Sequence, residues 1–464
     1  MEQIATVETL CPECFRKIEG VKYVEDGQVY IKKECDDHGF FKTLISKDIN
    51  HYRKMEDCFY VDRARARAPL TDVEKGCPYD CGLCPSHKQD TCLAVIEVTD
   101  RCNMQCTYCF ANSTQDGDTD PDMDTIRNMF EAVKKCSNDP SCVQLSGGEP
   151  TLRNDLPEII KMGKDVGIDH IELNTNGLRI SKDQDYFDRI ASAGIDAVYL
   201  GFDGVSDDVY IQRTGKKLFD VKSEVINKCQ EAGIGVVLVP LVAKNYNLHE
   251  VGKIIEFASN NVPTVRGVHF QPLFYSGRSP SRKEEKVTIL ELIEEIEKQT
   301  KGQLKVENFT PSLMPNAHCG ATCLALVDDL GFIPLTNTSQ GAMKSAYDVA
   351  SKTKGSIMGR WKGSEKETET ETESNSSCCG KSLQNISMES SCCRSDGGWS
   401  DFIEMSKNRY LTISTMAFQD VWSYEKERVE NCCIHVVTRD GRLIPFCNYN
   451  LTNCDGKYLY RQNV

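Results

Sequence analysis

From Leu93 onward the chain alternates short apolar runs with longer amphipathic stretches, repeating at roughly thirty-residue intervals. Apolar runs begin near Leu93, Cys142, Ile171, Ala197, Gly235 and Val265, and their β-branched content and flanking glycines predict strands rather than helices. Between them, helical periodicity predicts helices at Asp124–Lys135, Asp185–Ala193, Val221–Ala232 and His249–Ala258, with a further helix at Ile289–Thr300. Strands that alternate with helices in this way build a parallel sheet. Six such units predict an α/β fold, a partial (β/α)6 barrel open on one side for a large substrate. In parallel βα architectures, sites gather at the carboxyl ends of the strands.

The flanks follow other patterns. In residues 1–60 an alternating hairpin turning at Asp26-Gly27 separates Cys11-Pro-Glu-Cys14 from Cys35-Asp-Asp-His38. So short a segment buries too little apolar surface to hold itself together, so a ribbon folded around one metal is expected. Its fourth ligand is either His38 or Cys58; four thiolates suit iron or zinc, whereas three with an imidazole lean towards zinc. A basic connector, Asp62–Ala68, leads through 61–92 to the barrel at 93–300. Beyond it, 301–336 and 400–464 are read as a C-terminal domain, in which Val437–Phe446 turns at Asp440-Gly441 and brings Cys432 and Cys447 to one end. Residues 337–399 collapse into Ser, Glu, Thr and Lys, as in Gly363–Thr372, a composition that supports no core and predicts a flexible insertion. It contains Cys378, Cys379, Cys392 and Cys393, to which nothing assigns a chemical task.

Composition narrows the partners. The formal charge is 55 − 69 = −14 with no dense Lys/Arg tract, so the electrostatic footprint of a nucleic-acid binder is missing. The longest apolar region, Gly233–Ala243, is about half of a bilayer span, so no transmembrane segment is expected. The start, Met1–Glu8, lacks the basic and apolar regions of a signal peptide. A cytoplasmic protein is expected, with contact at a membrane surface left open. In a reducing compartment, 24 cysteines bunched at short spacings read as metal ligands.

Cys102, Cys106 and Cys109 follow the first barrel strand with gaps of three and two. Iron–sulfur clusters usually take four cysteines, so a three-cysteine loop suggests a cluster with one iron open to a ligand; a structural zinc knuckle is the alternative. Cys77, Cys81 and Cys84 repeat these gaps, and Cys92 supplies a fourth thiolate, which suits a closed cluster or a zinc site. Cys319 and Cys323 with Cys432 and Cys447 could enclose another cluster. Cys136, Cys142 and Cys229 are single and read as buried structural thiols. The second strand ends in Gly147-Gly148-Glu149-Pro150, where glycines let backbone approach a ligand and a carboxylate can receive an ammonium group; alone, this is an ordinary glycine turn. Asn174 and Asn176 end the third strand and Asp203 the fourth; short polar side chains there suit ribose hydroxyls and carboxylates, or simple turn chemistry.

The three-cysteine loop, followed one βα unit later by Gly147-Gly148-Glu149-Pro150, resembles the radical SAM superfamily. The resemblance implies a [4Fe–4S] cluster on Cys102, Cys106 and Cys109 with S-adenosyl-L-methionine at its open iron. It implies that Gly147, Gly148 and Glu149 hold the amino group of the methionine moiety and that Tyr108 packs near the adenine. The fifth strand, Gly235–Pro240, resembles the one that meets the base through backbone groups, with Val237 at its centre. The implied chemistry is a 5′-deoxyadenosyl radical that abstracts hydrogen from an unactivated carbon.

The Cys11-Pro-x-Cys14 ribbon, Gly76-Cys77-Pro78 and Arg442-Leu-Ile-Pro-Phe-Cys447 resemble one archaeal-type subfamily, which includes tetraether lipid synthases and dihydro-hydroxymethylpterin dimethyltransferases. That resemblance implies carbon–carbon bond formation on a lipid tail or a pterin. It also implies two auxiliary [4Fe–4S] clusters, one mononuclear iron or zinc, and an electron donor such as ferredoxin or flavodoxin. The insertion and Cys323, Cys433 and Cys454 depart from the pattern and leave the last cluster's ligands open. A radical SAM dehydrogenase or peptide-modifying enzyme is the alternative function. A non-catalytic carrier would have no need to grip an amino acid moiety.

Overall fold

The computed structural model describes residues 2–57, 71–116, 120–279, 286–311, 316–338, 358–359 and 409–461. Cys58, the connector at 62–68 and the cysteines at 378, 379, 392 and 393 lie outside the described residues, as does most of 337–399.

The N-terminal segment is an antiparallel sheet, β1 (Glu2–Leu10), β2 (Lys17–Glu25), β3 (Gln28–Cys35) and β4 (Gly39–Ser46), closed by α1 (Ile49–Asp57). Asp26 and Gly27 both take positive φ, 50° and 76°, the backbone that a two-residue hairpin requires. The sequence pattern misses the outer strands, because β1 and β4 bury few side chains and so carry little alternation. The ribbon is stitched to the C-terminal segment. Lys22 Nζ meets Glu425 at 2.7 Å and donates to Tyr52 Oη at 2.8 Å, and Lys33 Nζ donates to the Val421 carbonyl at 2.7 Å.

The barrel strands are β5 (Leu93–Thr99), β6 (Cys142–Gly147), β7 (His170–Thr175), β8 (Ala197–Gly201) and β9 (Gly235–Val239), then the short β10 (Leu241–Val242) and β11 (Val265–Pro272). The connecting helices are α2 (Met123–Cys136), α3 (Leu156–Val166), α4 (Gln184–Ser192), α5 (Asp207–Thr214), α6 (Phe219–Ala232) and α7 (Val251–Ser259); α8 (Ile289–Gln299) follows β11. Every expected strand and helix is present within about two residues of its predicted bounds. Along β6 to β9, Val143, Leu145, Ile171, Leu173, Val198, Leu200, Val236 and Leu238 pack outward in the main hydrophobic core. The alternate positions turn inward, towards a cavity of about 510 Å³.

The chain after residue 300 joins the same sheet. It contributes β12 (Thr310–Pro311), β13 (Gly320–Asp328), β14 (Gly331–Pro334), β15 (Tyr410–Met416), β16 (Ile434–Val437) and β17 (Leu443–Pro445), with α9 (Lys426–Glu430) and α10 (Phe446–Tyr449). The sheet runs β12-β13-β15-β11-β9-β8-β7-β6-β5-β16-β17. β15 lies parallel to β11 and β16 parallel to β5, so each free edge of the six-stranded core gains one parallel strand before antiparallel strands take over. Covering both edges removes the unpaired backbone an open barrel would expose. Among the described residues, no helix is long and apolar enough to cross a membrane.

Arg461, the last described residue, is locked to β5 by a buried bidentate pair: its Nη2 and Nη1 reach Glu97 Oε1 and Oε2 at 2.6 and 2.9 Å. Removing one partner strands a buried charge, so Arg461→Met should lose about 3–5 kcal/mol in thermal or denaturant unfolding. The double variant Glu97→Met/Arg461→Met should recover much of that loss; no difference between single and double variants would contradict the pairing.

Candidate active site and metal centres

The loop after β5 carries Cys102, Cys106 and Cys109, and arginines fix its backbone from two sides. The Cys109 amide donates to the Arg278 carbonyl at 2.8 Å and the Arg278 amide returns to the Cys109 carbonyl at 2.9 Å, while Arg278 Nε donates to the Cys106 carbonyl at 2.7 Å. From α5, Arg213 Nη2 donates to the Tyr108 carbonyl at 3.2 Å, and the Thr107 amide donates to the Arg213 carbonyl at 2.9 Å. All three thiols face the cavity. Burial pushes the Cys102 thiol up to about 12 and also raises Cys106, which the nearby Arg213 charge partly offsets. Thiolates here therefore need cationic charge or a bound metal to form.

β6 brings the glycine turn against this loop. A Cβ on Gly147, at φ +124°, would lie 2.1 Å from the Thr99 carbonyl oxygen, and one on Gly148 would lie 2.2 Å from that of Arg101. The Gly148 and Glu149 amides donate to those same two carbonyls at 2.7 and 2.8 Å. The glycines thus seat the turn directly on the root of the cysteine loop while also lining the cavity, where backbone can approach a ligand. Glu149 Oε1 accepts from the Thr151 amide, Thr151 Oγ1 and Thr175 Oγ1, and Oε2 accepts from the Asn176 amide at 2.7 Å. A carboxylate has about four lone-pair sites, so the free capacity is on Oε2. Glu149 also lines the cavity.

The other expected cofactor contacts divide. Asn174, Asn176 and Tyr108 line the cavity; Asn174 Nδ2 donates to Ser146 Oγ at 3.0 Å, Asn176 Nδ2 donates to Asn103 Oδ1 at 2.8 Å, and Tyr108 packs beside Tyr246. Asp203 lines it too; its Oδ1 accepts from Arg213 Nη1 at 2.7 Å and the Leu241 amide at 3.2 Å and its Oδ2 from Arg213 Nη1 at 2.6 Å, so it is that arginine's counter-charge as well as part of the wall. Val237 is buried within β9 and is not in the cavity wall; Val239 and Leu241, nearer the carboxyl end, are. Arg213, Arg278 and Lys222 escaped the sequence reading. Lys222 is buried in the site with its Nζ 2.6 Å from the Asn176 carbonyl, and burial lowers it to about 8. It stands one turn before Val225 and Ile226 on the core face of α6, and a lysine at a core position was the available signal.

The ribbon gathers Cys11, Cys14, Cys35 and His38, whose ligand atoms lie within 4.8 Å of one another. Cys35 Sγ is 3.4 Å from His38 Nδ1, and that imidazole draws the Cys35 thiol down to about 7. Three thiols and an imidazole fit a mononuclear ion of the zinc type. Cys77 and Cys81 are buried beside Asn448, which donates to their sulfurs at 3.7 and 3.0 Å; Cys84 is an electrostatic neighbour of Cys81.

Two expected ligands sit elsewhere. Cys92 does not join Cys77, Cys81 and Cys84: β16 pairs with β5 so that Ile434 faces Leu93, which sets Cys433 beside Cys92, sulfur to sulfur 2.6 Å. The Cys432 thiol has Cys447, Cys319 and Cys92 as neighbours, and Cys433 has Cys92, Cys432 and Cys319. Cys323 is not in this group. β13 starts at Gly320, and four residues of extended strand carry Cys323 about 13 Å from Cys319, into the hydrophobic core. Cys454 donates its amide to the Pro12 carbonyl, beside the ribbon.

A cluster with an open iron, and a cofactor with an amino acid end, fit this arrangement. It offers three thiols on a braced loop, a carboxylate with free capacity, and the cations Arg213 and Lys222 in one cavity. Gly147→Ala should destabilise the protein by about 3 kcal/mol or more, since no side chain can yield to relieve a backbone clash. Gly215→Asn, at a positive-φ helix cap with nothing within 4 Å, should lose less than about 1 kcal/mol in the same unfolding measurement. Equal losses would refute the backbone-contact account.

The chain is similar to known proteins over most of its length. Residues 96–258 match the family described as the Radical SAM superfamily, and residues 3–47 match the HMPTM N-terminal zinc ribbon domain. The chain is 36% identical to the 7,8-dihydro-6-hydroxymethylpterin dimethyltransferase of Methanocaldococcus jannaschii, over 98% of this chain and 94% of that one. It is 30% identical to a probable GTP 3′,8-cyclase of Saccharolobus islandicus, over 47% of this chain and 68% of that one. Among solved structures, Streptococcus suis SuiB bound to S-adenosylmethionine aligns with a TM-score of 0.39 at 16% identity, covering 46% of this chain and 47% of that one.

Proposed function

The chain belongs to the radical SAM superfamily, in the subfamily of the 7,8-dihydro-6-hydroxymethylpterin dimethyltransferase type, and we propose that it methylates carbon on a reduced pterin, forming a carbon–carbon bond. The [4Fe–4S] cluster and S-adenosylmethionine, when bound, supply hydrogen-atom abstraction from an unactivated carbon. Cys102, Cys106 and Cys109 would hold the cluster, and Glu149 would take the cofactor's ammonium group on Oε2. Arg213 and Lys222 place positive charge where its carboxylate can be balanced. Tyr108 and Tyr246 would bound its adenine side.

The observation that favours a pterin over a lipid tail is a set of polar groups built into an otherwise mainly apolar cavity wall. Gln144, Asn174, His269, Gln271 and Ser414 line it, and the buried hydroxyls of Thr412 and Thr415, also in the wall, find no hydrogen-bond partner among the described residues. Orphaned buried hydroxyls lose about 1–3 kcal/mol each unless a polar ligand pairs them, and a hydrocarbon tail cannot. Phe274, Phe418 and Phe446 stand against one another at the same wall and offer ring faces to a flat heterocycle. A cavity of about 510 Å³ is also in the range that encloses small molecules.

Around this centre we place two closed clusters, one on Cys77, Cys81 and Cys84 with a further ligand, the other on four of the five thiols Cys92, Cys319, Cys432, Cys433 and Cys447. They would carry electrons between a donor such as ferredoxin or flavodoxin and the substrate, in the cytoplasm. Mass spectrometry of pterins and lipids from a deletion strain tests the reading. Loss of methylated pterins with lipids unchanged is expected; unchanged pterins with altered membrane lipids would overturn it.

A further inference from the structure

Inside the barrel, β6 and β7 present a polar ladder where a parallel barrel normally packs branched apolar residues. In register, Cys142 stands beside His170, and Gln144 beside Glu172. The lowest members of this ladder converge. Ligand atoms of Cys142, His170 and Glu172 all lie within 4.8 Å of one another, with His170 2% and Glu172 0% exposed. His170 Nε2 is 3.2 Å from Glu172 Oε1, yet it has no directed hydrogen-bond partner among the described residues; Cys142 Sγ is 3.8 Å from the same oxygen.

We infer that Cys142, His170 and Glu172 form a mononuclear site for a divalent transition ion of the zinc class, with its fourth position open to the cavity. Bond lengths of about 2.0–2.3 Å in tetrahedral geometry set nitrogen–oxygen and sulfur–oxygen edges of roughly 3.4 and 3.6 Å. The observed 3.2 and 3.8 Å bracket those edges. One thiolate, one imidazole and one carboxylate form a three-ligand set of the kind that leaves a coordination position for water or substrate. Gln144 Nε2 holds Glu172 Oε2 at 3.3 Å and so orients the carboxylate, whereas Asp196 Oδ2, held by Lys164 and by the Ile171 amide at 2.8 Å, stands 3.9 Å from His170 Nδ1, beyond hydrogen-bond reach. Ala197, the register neighbour of Glu172 on β8, leaves room beside the carboxylate.

Cys142 and Glu172 line the same cavity as the cysteine loop but stand at the amino ends of β6 and β7, whereas that loop follows the carboxyl end of β5. The ion would therefore hold an oxygen or nitrogen donor of the bound molecule at the far end from the radical chemistry. Cys142 reads as a lone structural thiol in sequence because both partners come from the next strand.

The test measures zinc and iron together in the cluster-reconstituted full chain, equilibrated with zinc and desalted, for wild type, Glu172→Gln, Cys142→Ser and Cys11→Ser. Glu172→Gln and Cys142→Ser should each retain about one equivalent less zinc than wild type at unchanged iron. In Cys11→Ser, which loses the ribbon ion, the remaining zinc should show one sulfur and otherwise nitrogen or oxygen neighbours by zinc-edge X-ray absorption. Equal zinc in wild type and Glu172→Gln would overturn the site and leave His170 and Glu172 as an ion pair. If the barrel variants also lose iron through misfolding, the Cys11→Ser spectrum decides, and absent or all-sulfur zinc there rejects the proposal.

Discussion

Two carbonyl oxygens, those of Thr99 and Arg101, occupy the space that side chains at 147 and 148 would need. Because neither position carries a Cβ, the end of β6 can donate two amide hydrogen bonds into the root of the cysteine loop. That contact sets the geometry of everything functional. It aims Glu149 into the cavity beside Cys102, and Glu149 in turn ties down Thr175 and the Asn176 amide at the end of β7. Three strand ends are thereby fixed to one another through backbone and one carboxylate. Preorganisation of this kind lets a cofactor bind without the protein having to reorder around it.

The charges in the site are arranged with the same economy. Asp203 pairs with Arg213 through both carboxylate oxygens, which places a firmly held cation beside Cys106, and Arg213 braces the cysteine loop through the Tyr108 carbonyl. Arg278 braces the other side through the Cys106 carbonyl. The C-terminal tail closes over this region: Tyr458 Oη donates to the Phe110 carbonyl at 2.6 Å, and Arg461 pairs with Glu97 inside the sheet. Residues far apart in sequence thus hold one short loop.

Much of this architecture was legible in the sequence. The six βα units could be read because each strand keeps a short β-branched apolar core on its outward face and the helices between them keep a clean period. The cysteine loop and glycine turn were legible as chemistry because their residues are contiguous. What escaped was set by pairing across the sheet. The register of β16 on β5 moves Cys92 to Cys433, and the extended start of β13 separates Cys323 from Cys319, although a gap of three residues suggests a shared ligand set. The Asp203–Arg213 pair was not legible because Arg213 lies ten residues on, at the end of a helix the periodicity did not reveal. The polar ladder within β6 and β7 was hidden for the same reason, since alternate inward positions acquire meaning only once neighbouring strands are aligned.

The central claim is that S-adenosylmethionine binds at the cluster held by Cys102, Cys106 and Cys109 and at no other. Electron paramagnetic resonance of the reduced protein, recorded with and without the cofactor, tests it most directly. The account predicts that the cofactor shifts one cluster's signal in wild type and in Cys77→Ser, and that the shift disappears when Cys102, Cys106 and Cys109 are all replaced by Ala. A shift that survives the triple replacement, or one that vanishes in Cys77→Ser alone, would contradict it.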